Sequence, residues 1–188
     1  ADFVGLQEAH GFERDDFKTC KEIATYTGLT NFVLGIGTKT SSGQQYHVAF
    51  FSKHAFIDVK KYEGKFRNAG LKVTIQSDRG RIYLWNLHLN PFTEEDRLKE
   101  IELISGDLTV EGGEIILGDL NSLSSQDKYP KDLLEKLNEK QRKKFTTKDK
   151  IEYRVINEIL EKGYLDSAFA CKRNIPTVPT QSNEDIAH

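Results

Sequence analysis

The chain has 188 residues, which indicates one domain, and its 27 basic and 29 acidic side chains give a formal net charge of −2. Counting Gly as apolar and Tyr as polar, about 41% of the residues are apolar, enough for one buried core although below the ~45–50% of typical globular domains. Because the charges nearly cancel, any contact with a polyanion must be local. No window reaches the ~18 consecutive apolar residues of a membrane span, and the N-terminus lacks the basic-then-apolar pattern of a signal peptide. A soluble protein is therefore expected.

The first half of the chain predicts one helix among several strands. A short apolar run at Phe3–Gln7 predicts the first strand, and a helical pattern from Asp15 to Thr27 ends at Gly28. Five further runs are rich in Val, Ile, Phe and Tyr and are separated by Gly, Ser and charged turns, which predicts strands at Asn31–Ile36, Tyr46–Ser52, Phe56–Tyr62, Leu71–Gln76 and Arg81–Leu89. This succession indicates antiparallel meanders.

The second half mixes helices with one further strand. Thr93–Leu108 is predicted to be a helix, with Thr93 as a candidate N-cap and acidic residues in the first turn. Glu114–Leu120 predicts a strand. A short helix is predicted near Lys131–Asn138, and an amphipathic helix from about Asp149 to Lys162. Several consecutive strands followed by mixed β and α elements indicate a single α+β domain built as a layered sandwich.

Three of the predicted strands change from apolar to polar toward their C-terminal ends. Because residues i, i+2 and i+4 of a strand share a face, the change can be followed along one side at a time. The shared faces are Val4, Leu6 and Glu8; Ile82, Leu84, Asn86 and His88; and Ile115, Leu117, Asp119 and Asn121. If the strands are neighbours, the sandwich interior carries the five polar residues at one rim. Such a set can hold a hard divalent cation, orient water and stabilise an oxyanion, whereas each residue taken alone is more often structural.

Three short motifs carry a resemblance to a known family. Gly5-Leu6-Gln7-Glu8, Asn86-Leu87-His88-Leu89 and Leu117-Gly118-Asp119-Leu120-Asn121, in this order, resemble the endonuclease/exonuclease/phosphatase superfamily. Four further parts of the chain are similar to less specific motifs of that family: Val48–Lys53, Arg97, Gly163–Asp166 and Pro176–Thr180. The resemblance implies an α+β fold, a four-layer α/β sandwich in which two mostly antiparallel sheets pack face to face and are flanked by helices.

The resemblance also implies a role for each site residue. It implies that Glu8 is a ligand of a catalytic Mg²⁺, with Mn²⁺ as the alternative ion, and that Asp119, with Asn121 beside it, orients or deprotonates the attacking water. His88 would contact the scissile phosphate, and Asn86 would support the site and position the substrate. The implied activity is hydrolysis of a phosphate ester by direct attack of water, of the phosphodiesterase or nuclease type, so a phosphate ester and, among such esters, nucleic acid are the expected partners.

Two other functions stay open at this point. One is a noncatalytic binding scaffold that keeps the same fold, and the other is a phosphatase acting on a soluble or lipid-headgroup phosphate. The slightly acidic charge balance disfavours a nonspecific DNA nuclease, because such an enzyme needs a basic surface. The sequence does not indicate an oligomeric state.

The cysteines and the chain ends complete the expectations. Cys20 and Cys171 form no CxxC pair, so neither a zinc site nor a disulfide is indicated, and two free thiols favour a reducing, cytoplasmic location.

The chain has no Met. Residues 1–188 are expected to form a single domain of the family pattern that lacks the first strand with its Asn and the last two strands with an Asp and a Ser-Asp-His motif. Glu184–His188 does not reproduce that motif, so His188 is not expected to be catalytic.

Overall fold

The computed structural model describes residues 1–109 and 113–173. Its strands are Phe3–Leu6 (β1), Asn31–Gly35 (β2), Val48–Ser52 (β3), Phe56–Lys61 (β4), Ala69–Ser77 (β5), Gly80–His88 (β6), Glu114–Asp119 (β7), Thr146–Thr147 (β8) and Lys150–Ile151 (β9). Its helices are Arg14–Thr27 (α1), Glu94–Ile104 (α2), Leu133–Lys136 (α3), Glu139–Phe145 (α4), Arg154–Glu161 (α5) and Ser167–Ala170 (α6), and Ser105–Asp107 forms a 3₁₀ turn. Within these ranges, none of the helices combines the length and apolar character needed to cross a membrane.

Contacts divide the chain into two compact units. The first consists of Ala1–Asn90 with Leu103–Leu120, and the second of Pro91–Glu102 with Asn121–His188. The first unit contains strands β1 to β7 and helix α1, and the second contains most of α2 and the later helices. The predicted site residues other than Asn121 belong to the first unit.

Two sheets form the body of the first unit. The three-stranded sheet has the order β1-β3-β2 with antiparallel pairs throughout, and the four-stranded sheet has the order β4-β5-β6-β7. Strands β4, β5 and β6 are antiparallel, whereas β7 returns parallel to β6. The prediction of two mostly antiparallel sheets is therefore confirmed.

The inner faces of the two sheets bury one apolar cluster. Val48 and Phe50 of β3 pack with Leu71 and Val73 of β5 and with Leu84 of β6, and all are essentially inaccessible to solvent. Each of these residues alternates with a neighbour that points the other way, as the period of two in a strand requires. The sheets thus pack face to face, and the α+β sandwich predicted from the sequence is confirmed.

Helix α1 covers the outer face of the three-stranded sheet. Its buried residues Cys20 and Ala24 pack against Leu34, Ala49 and Phe51. Strand β3 is therefore buried on both faces, with all five of its residues inaccessible. A central strand covered on both faces reads as a continuous apolar run, which explains the segment Val48–Phe51.

The outer face of the four-stranded sheet carries a buried ion pair. Lys72 Nζ lies 3.0 Å from the carboxylate of Glu114, which is nearly inaccessible, and 4.7 Å from the centroid of the Trp85 ring. Trp85 Nε1 donates to the same carboxylate at 2.6 Å. Lys72 also donates to the backbone carbonyl of Asp107 at 2.6 Å. These contacts fix the start of β7 and the preceding 3₁₀ turn on this face, which matters for the site because β7 ends at Asp119.

Some predicted boundaries in the second unit are wrong. The helix expected from Asp149 begins at Arg154, because residues 146–151 form a hairpin in which Lys148 and Asp149 have φ of 51° and 58°. Two residues in the left-handed conformation suit a tight hairpin turn and cannot begin a right-handed helix. The expected short helix is Leu133–Lys136, and a further helix, α4, follows it with a capping box between Asn138 and Gln141.

Candidate active site

His88 and Asp119 lie side by side at the C-terminal ends of two parallel strands. They are register partners in the pairing of β6 with β7, and His88 Nε2 is 3.8 Å from Asp119 Oδ2. His88 is 3% exposed, whereas half of the Asp119 side chain is open to solvent. The backbone N–H of Leu89 donates to the carbonyl of Asp119 at 3.0 Å and continues the pairing beyond the strands. A buried imidazole therefore stands beside a carboxylate that water can reach.

Gly118 explains how β7 comes so close to β6 before Asp119. Its φ is 129°, a conformation that residues with a side chain rarely adopt, and a Cβ at this position would lie 2.0 Å from the carbonyl oxygen of Leu87. A side chain would thus push β7 away from β6. The Gly of the Leu117-Gly118-Asp119 motif is required by this backbone approach, not by the chemistry of the site.

Asn86 lies two residues before His88, on the same face of β6, and is completely buried. Its Nδ2 donates to the carbonyl of Leu6 at 3.1 Å and to the carbonyl of Ala49 at 3.0 Å. Its Oδ1 accepts a 2.7 Å hydrogen bond from Gln7 Nε2. Because Leu6 and Ala49 belong to β1 and β3, this one amide joins the two sheets directly beneath the ends of β6 and β7.

The first strand presents the opposite face from the one that the sequence pattern predicts. Val4 and Leu6 pack outward into the cluster under α1, whereas Phe3 packs into the inter-sheet cluster. A Cβ on Gly5 would meet Leu117 Cδ1 at 2.2 Å and Asn86 Nδ2 at 3.1 Å, so Gly5 also faces the other sheet. The expectation that Glu8 shares an inward face with Val4 and Leu6 is therefore wrong, and Gln7 continues the inward face.

Glu8 follows β1 in a loop and not on the strand. Its φ of 53° is the left-handed conformation, which ends the strand alternation and redirects the side chain. Glu8 is exposed, and among the residues that the structure describes its carboxylate has no hydrogen-bond or ion-pair partner. The carboxylate oxygens are thus available to a ligand from solution.

Asn121 belongs to the second unit. It is 7% exposed and has a φ of 53°, a conformation that Asn tolerates better than most residues. The turn at Asn121 thus ends the extended course of β7 two residues after Asp119.

The donor set suits a hard cation that retains water. In residues 1–109 and 113–173 no group of three or more His, Cys, Asp and Glu side chains is arranged to hold a metal ion. Glu8 is the site residue predicted to hold the ion, and its carboxylate is the kind of ligand that Mg²⁺ prefers. Mg²⁺ uses one or two protein carboxylates and keeps several waters, so a single exposed carboxylate fits Mg²⁺ and does not fit a tightly caged transition metal.

Two further residues support the end of β6 and were not singled out from the sequence. Gln7 lies within the Gly5–Glu8 motif, and its amide bonds Asn86 as described. Asn68 is 2% exposed, and its Nδ2 donates to the carbonyl of Leu89 at 3.0 Å. The only feature of the sequence that marks Asn68 is its position as a polar residue just before an apolar strand. This feature does not single out a functional residue, because polar residues are common in turns.

Arg97, which is similar to one of the less specific motifs of the family, is a structural residue of the second unit. It is completely buried, and its guanidinium donates to Glu94 at 2.8 Å and to the carbonyl of Lys144 at 2.6 Å. Glu94 also accepts from the Ser122 hydroxyl and from the Val155 backbone N–H. This network fixes α2, α4 and α5 within that unit. Pro176–Thr180 and His188 lie outside the described residues.

Comparisons by sequence found no relative. No model of a protein family matches the chain, and no curated protein matches it.

Comparison by structure found solved proteins of similar fold. An endonuclease/exonuclease/phosphatase family protein from Leptotrichia buccalis is 18% identical over 64% of this chain and 55% of its own, with a TM-score of 0.51. Sphingomyelinase C from Streptomyces griseocarneus is 15% identical over 66% of this chain and 52% of its own, with a TM-score of 0.49. ANGEL2, a 2′,3′-cyclic phosphatase, is 21% identical over 67% of this chain and 41% of its own, with a TM-score of 0.45.

The matches extend over about half the length of these solved proteins. At 18% identity the likeness to the Leptotrichia buccalis protein concerns the fold alone, and it agrees with the two packed sheets. The chain therefore has a fold similar to that of the endonuclease/exonuclease/phosphatase family protein from Leptotrichia buccalis.

Proposed function

We propose that this protein is a metal-dependent hydrolase of phosphate esters that acts by direct attack of water. The observation that carries the proposal is the pairing of buried His88 with half-exposed Asp119 at the ends of two adjacent parallel strands. Phosphoryl transfer to water requires charge neutralisation and accurate placement more than a covalent intermediate, and this pair supplies a cationic or hydrogen-bonding group beside a base.

Each residue has one part in this proposal. Asp119 accepts a hydrogen bond from the attacking water and orients it or takes its proton, since its carboxylate is open to solvent. His88 donates to a phosphate oxygen, where negative charge develops in the transition state. Asn86 supports the site and positions the substrate indirectly, because its amide holds together the strands that carry His88 and Asp119. Glu8 would hold Mg²⁺ or Mn²⁺, which when bound neutralises phosphate charge and polarises the reacting group.

We propose a phosphodiesterase or nuclease type of substrate, with nucleic acid as one candidate. The formal charge of −2 supports recognition of a particular phosphate group over nonspecific binding to a polyanion. A phosphatase acting on a soluble or lipid-headgroup phosphate needs the same site residues.

The deciding experiment is phosphate or nucleotide release by the full-length protein from a panel of substrates, with Mg²⁺ and then with EDTA. The panel contains single-stranded and double-stranded DNA, RNA, a nucleoside 2′,3′-cyclic phosphate, an inositol phosphate and a choline phosphodiester. We expect hydrolysis of at least one class that EDTA abolishes and added Mg²⁺ restores. A folded protein that binds one of these ligands and releases no product would favour the noncatalytic scaffold.

Replacing Glu8 by Gln is expected to raise the Mg²⁺ concentration required for half-maximal activity. The neutral amide is a much weaker ligand for Mg²⁺ than a carboxylate, while the exposed position should leave the melting temperature unchanged. The measurement is the initial rate as a function of Mg²⁺ concentration at saturating substrate. Glu22→Gln, at an exposed position on α1, is the matched control. An identical Mg²⁺ dependence in both variants would remove Glu8 as a ligand.

We also propose a reducing location such as the cytoplasm. Cys20 is buried and Cys171 is exposed, and both are free thiols. An exposed free thiol is easily oxidised outside a reducing compartment. Localisation of a tagged full-length protein tests this.

A further inference from the structure

The loop that carries Glu8 is held in an unfavourable backbone conformation. This segment, residues 7–13 and called here the Glu8 loop, joins β1 to α1. Glu8 has a φ of 53°, which is unfavourable for a residue with a side chain and persists only where the surroundings enforce it. The next residue, Ala9, is 2% exposed and packs in the cluster under α1. The conformation at Glu8 therefore depends on what anchors the rest of the loop.

His47 anchors the loop at two points, in addition to a contact of 3.0 Å between His10 Nδ1 and the carbonyl of Gln45. Its backbone carbonyl accepts the N–H of Ala9 at 3.0 Å, and its Nε2 is 2.9 Å from Glu13 Oε2. The whole residue is inaccessible to solvent. One buried residue thus binds the first residue after Glu8 through its backbone and the last residue of the loop through its side chain.

The proton on the His47 ring follows from its third contact. The backbone N–H of Gly37 points at Nδ1 at 3.0 Å. Because a backbone N–H can only donate, Nδ1 is the acceptor and the proton of the neutral ring is on Nε2, which donates to Glu13. Gly37 can approach this closely because it has no side chain: a Cβ there would lie 2.3 Å from the carbonyl oxygen of Tyr46.

Glu13 is ionised in this arrangement. Partial burial opposes ionisation, but a backbone hydrogen bond of Glu13 itself and the neighbouring His47 ring hold the pKa of this carboxyl below its usual range. A carboxylate can only accept, so it complements the Nε2–H donor. The neutral ring and the carboxylate thus fix each other's orientation.

We propose that His47 and Glu13 are positioning residues that hold the Glu8 loop in its strained conformation and so set the affinity of Glu8 for a divalent cation. The metal part of this inference rests on the proposed function. Groups that hydrogen-bond a metal ligand directly commonly change metal affinity by about 10–100-fold when they are removed, and His47 and Glu13 act one residue farther away, through the backbone of Ala9, so the low end of that range is expected. Neither residue reaches the substrate in this scheme, and both act through the loop.

The test is Glu13→Ala in the full-length protein, with Glu13→Gln as the conservative variant and Glu22→Ala as the matched control on α1. Without metal, hydrogen exchange of the Ala9 amide is measured relative to the Phe50 amide of β3, which reports global unfolding. With metal, Mg²⁺ binding is measured by calorimetry in the wild-type and Glu8→Gln backgrounds. Glu13→Asp, which keeps the charge but shortens the side chain, replaces Glu13→Ala if the latter does not fold.

We expect Glu13→Ala to speed exchange of the Ala9 amide several-fold with little change at Phe50. We expect it to weaken Mg²⁺ binding about tenfold or more in the wild-type background and not further in the Glu8→Gln background. Glu13→Gln, whose side-chain oxygen still accepts from Nε2, should restore most of both properties, and Glu22→Ala should change neither.

Several outcomes would overturn the inference. Unchanged Ala9 exchange in folded Glu13→Ala would show that the pair does not position the loop. Equal weakening of Mg²⁺ binding with and without Glu8 would show that Glu13 acts on metal by another route. If the unmodified protein neither binds Mg²⁺ nor hydrolyses any substrate, the proposed function fails, and Ala9 exchange alone then decides whether His47 and Glu13 position the loop.

Discussion

Replacing Asp119 by Asn is expected to lower the turnover rate by about 10²–10⁴-fold, the usual loss when a general base or an equivalent orienting group is removed. The amide keeps the size of the side chain but cannot accept a proton from water. Because half of the side chain is exposed and the backbone of Asp119, not its carboxylate, pairs with Leu89, the melting temperature should change little. The measurement is kcat and KM at saturating Mg²⁺ beside a thermal unfolding curve.

Asp78→Asn is the control for that substitution. Asp78 is exposed in the turn that joins β5 to β6, at the other end of β6 from His88. It makes the same chemical change without reaching the proposed site, so its turnover should equal that of the unmodified enzyme. Near-normal turnover of Asp119→Asn would exclude Asp119 from the mechanism, whereas a large loss of melting temperature would assign it a structural role.

Replacing Asn86 by Leu is expected to destabilise the protein by about 2–4 kcal/mol and to abolish activity. The substitution keeps the approximate volume but removes the donor to two backbone carbonyls and the acceptor of Gln7, all in a buried position. Each buried polar group left without a partner costs about 1–3 kcal/mol. The loss is measured as the change in free energy of unfolding from urea titration, with unchanged slope as the check that the unfolded state is the same.

Two companion variants separate the contributions at Asn86. Asn86→Asp replaces the Nδ2 donor by an oxygen that faces the carbonyls of Leu6 and Ala49, so it should destabilise at least as much despite the identical shape. Gln7→Ala leaves only the buried Oδ1 without its partner and should cost about 1–2 kcal/mol, less than Asn86→Leu. Equal stabilities of Asn86→Leu and the unmodified protein would contradict the assignment of Asn86 as the link between the sheets.

The local pattern of β6 and β7 predicted that His88 and Asp119 lie at one rim if the two strands are neighbours. Each strand changes from apolar to polar on one face, and the polar ends meet because the strands are parallel neighbours in register. A period of two is a property of the chain itself, so it can be read before the fold is known. The α+β sandwich followed from the same alternation repeated along successive strands.

In the first strand, the alternation of residues does not predict which face points inward. Its two faces are both apolar, since Val4 and Leu6 pack under α1 and Phe3 packs between the sheets. Alternation tells which residues share a face but not which face points inward when both are covered. The left-handed turn at Glu8 then ends the alternation, and no local signal in a Glu residue predicts that conformation.

The sequence by itself predicted strands β1 to β7, the fold class and the candidate residues His88, Asp119 and Glu8, because hydrophobic periodicity and short motifs are local properties. Only the tertiary structure decided that Asn86 links the two sheets and that His47 anchors the Glu8 loop through Glu13. Asn86 bonds residues 79, 80 and 37 positions away, and His47 bonds a residue 34 positions away. The role of a buried amide or imidazole depends on which donors and acceptors lie within about 3 Å of it. The positions of these donors and acceptors depend on the packing of the whole unit.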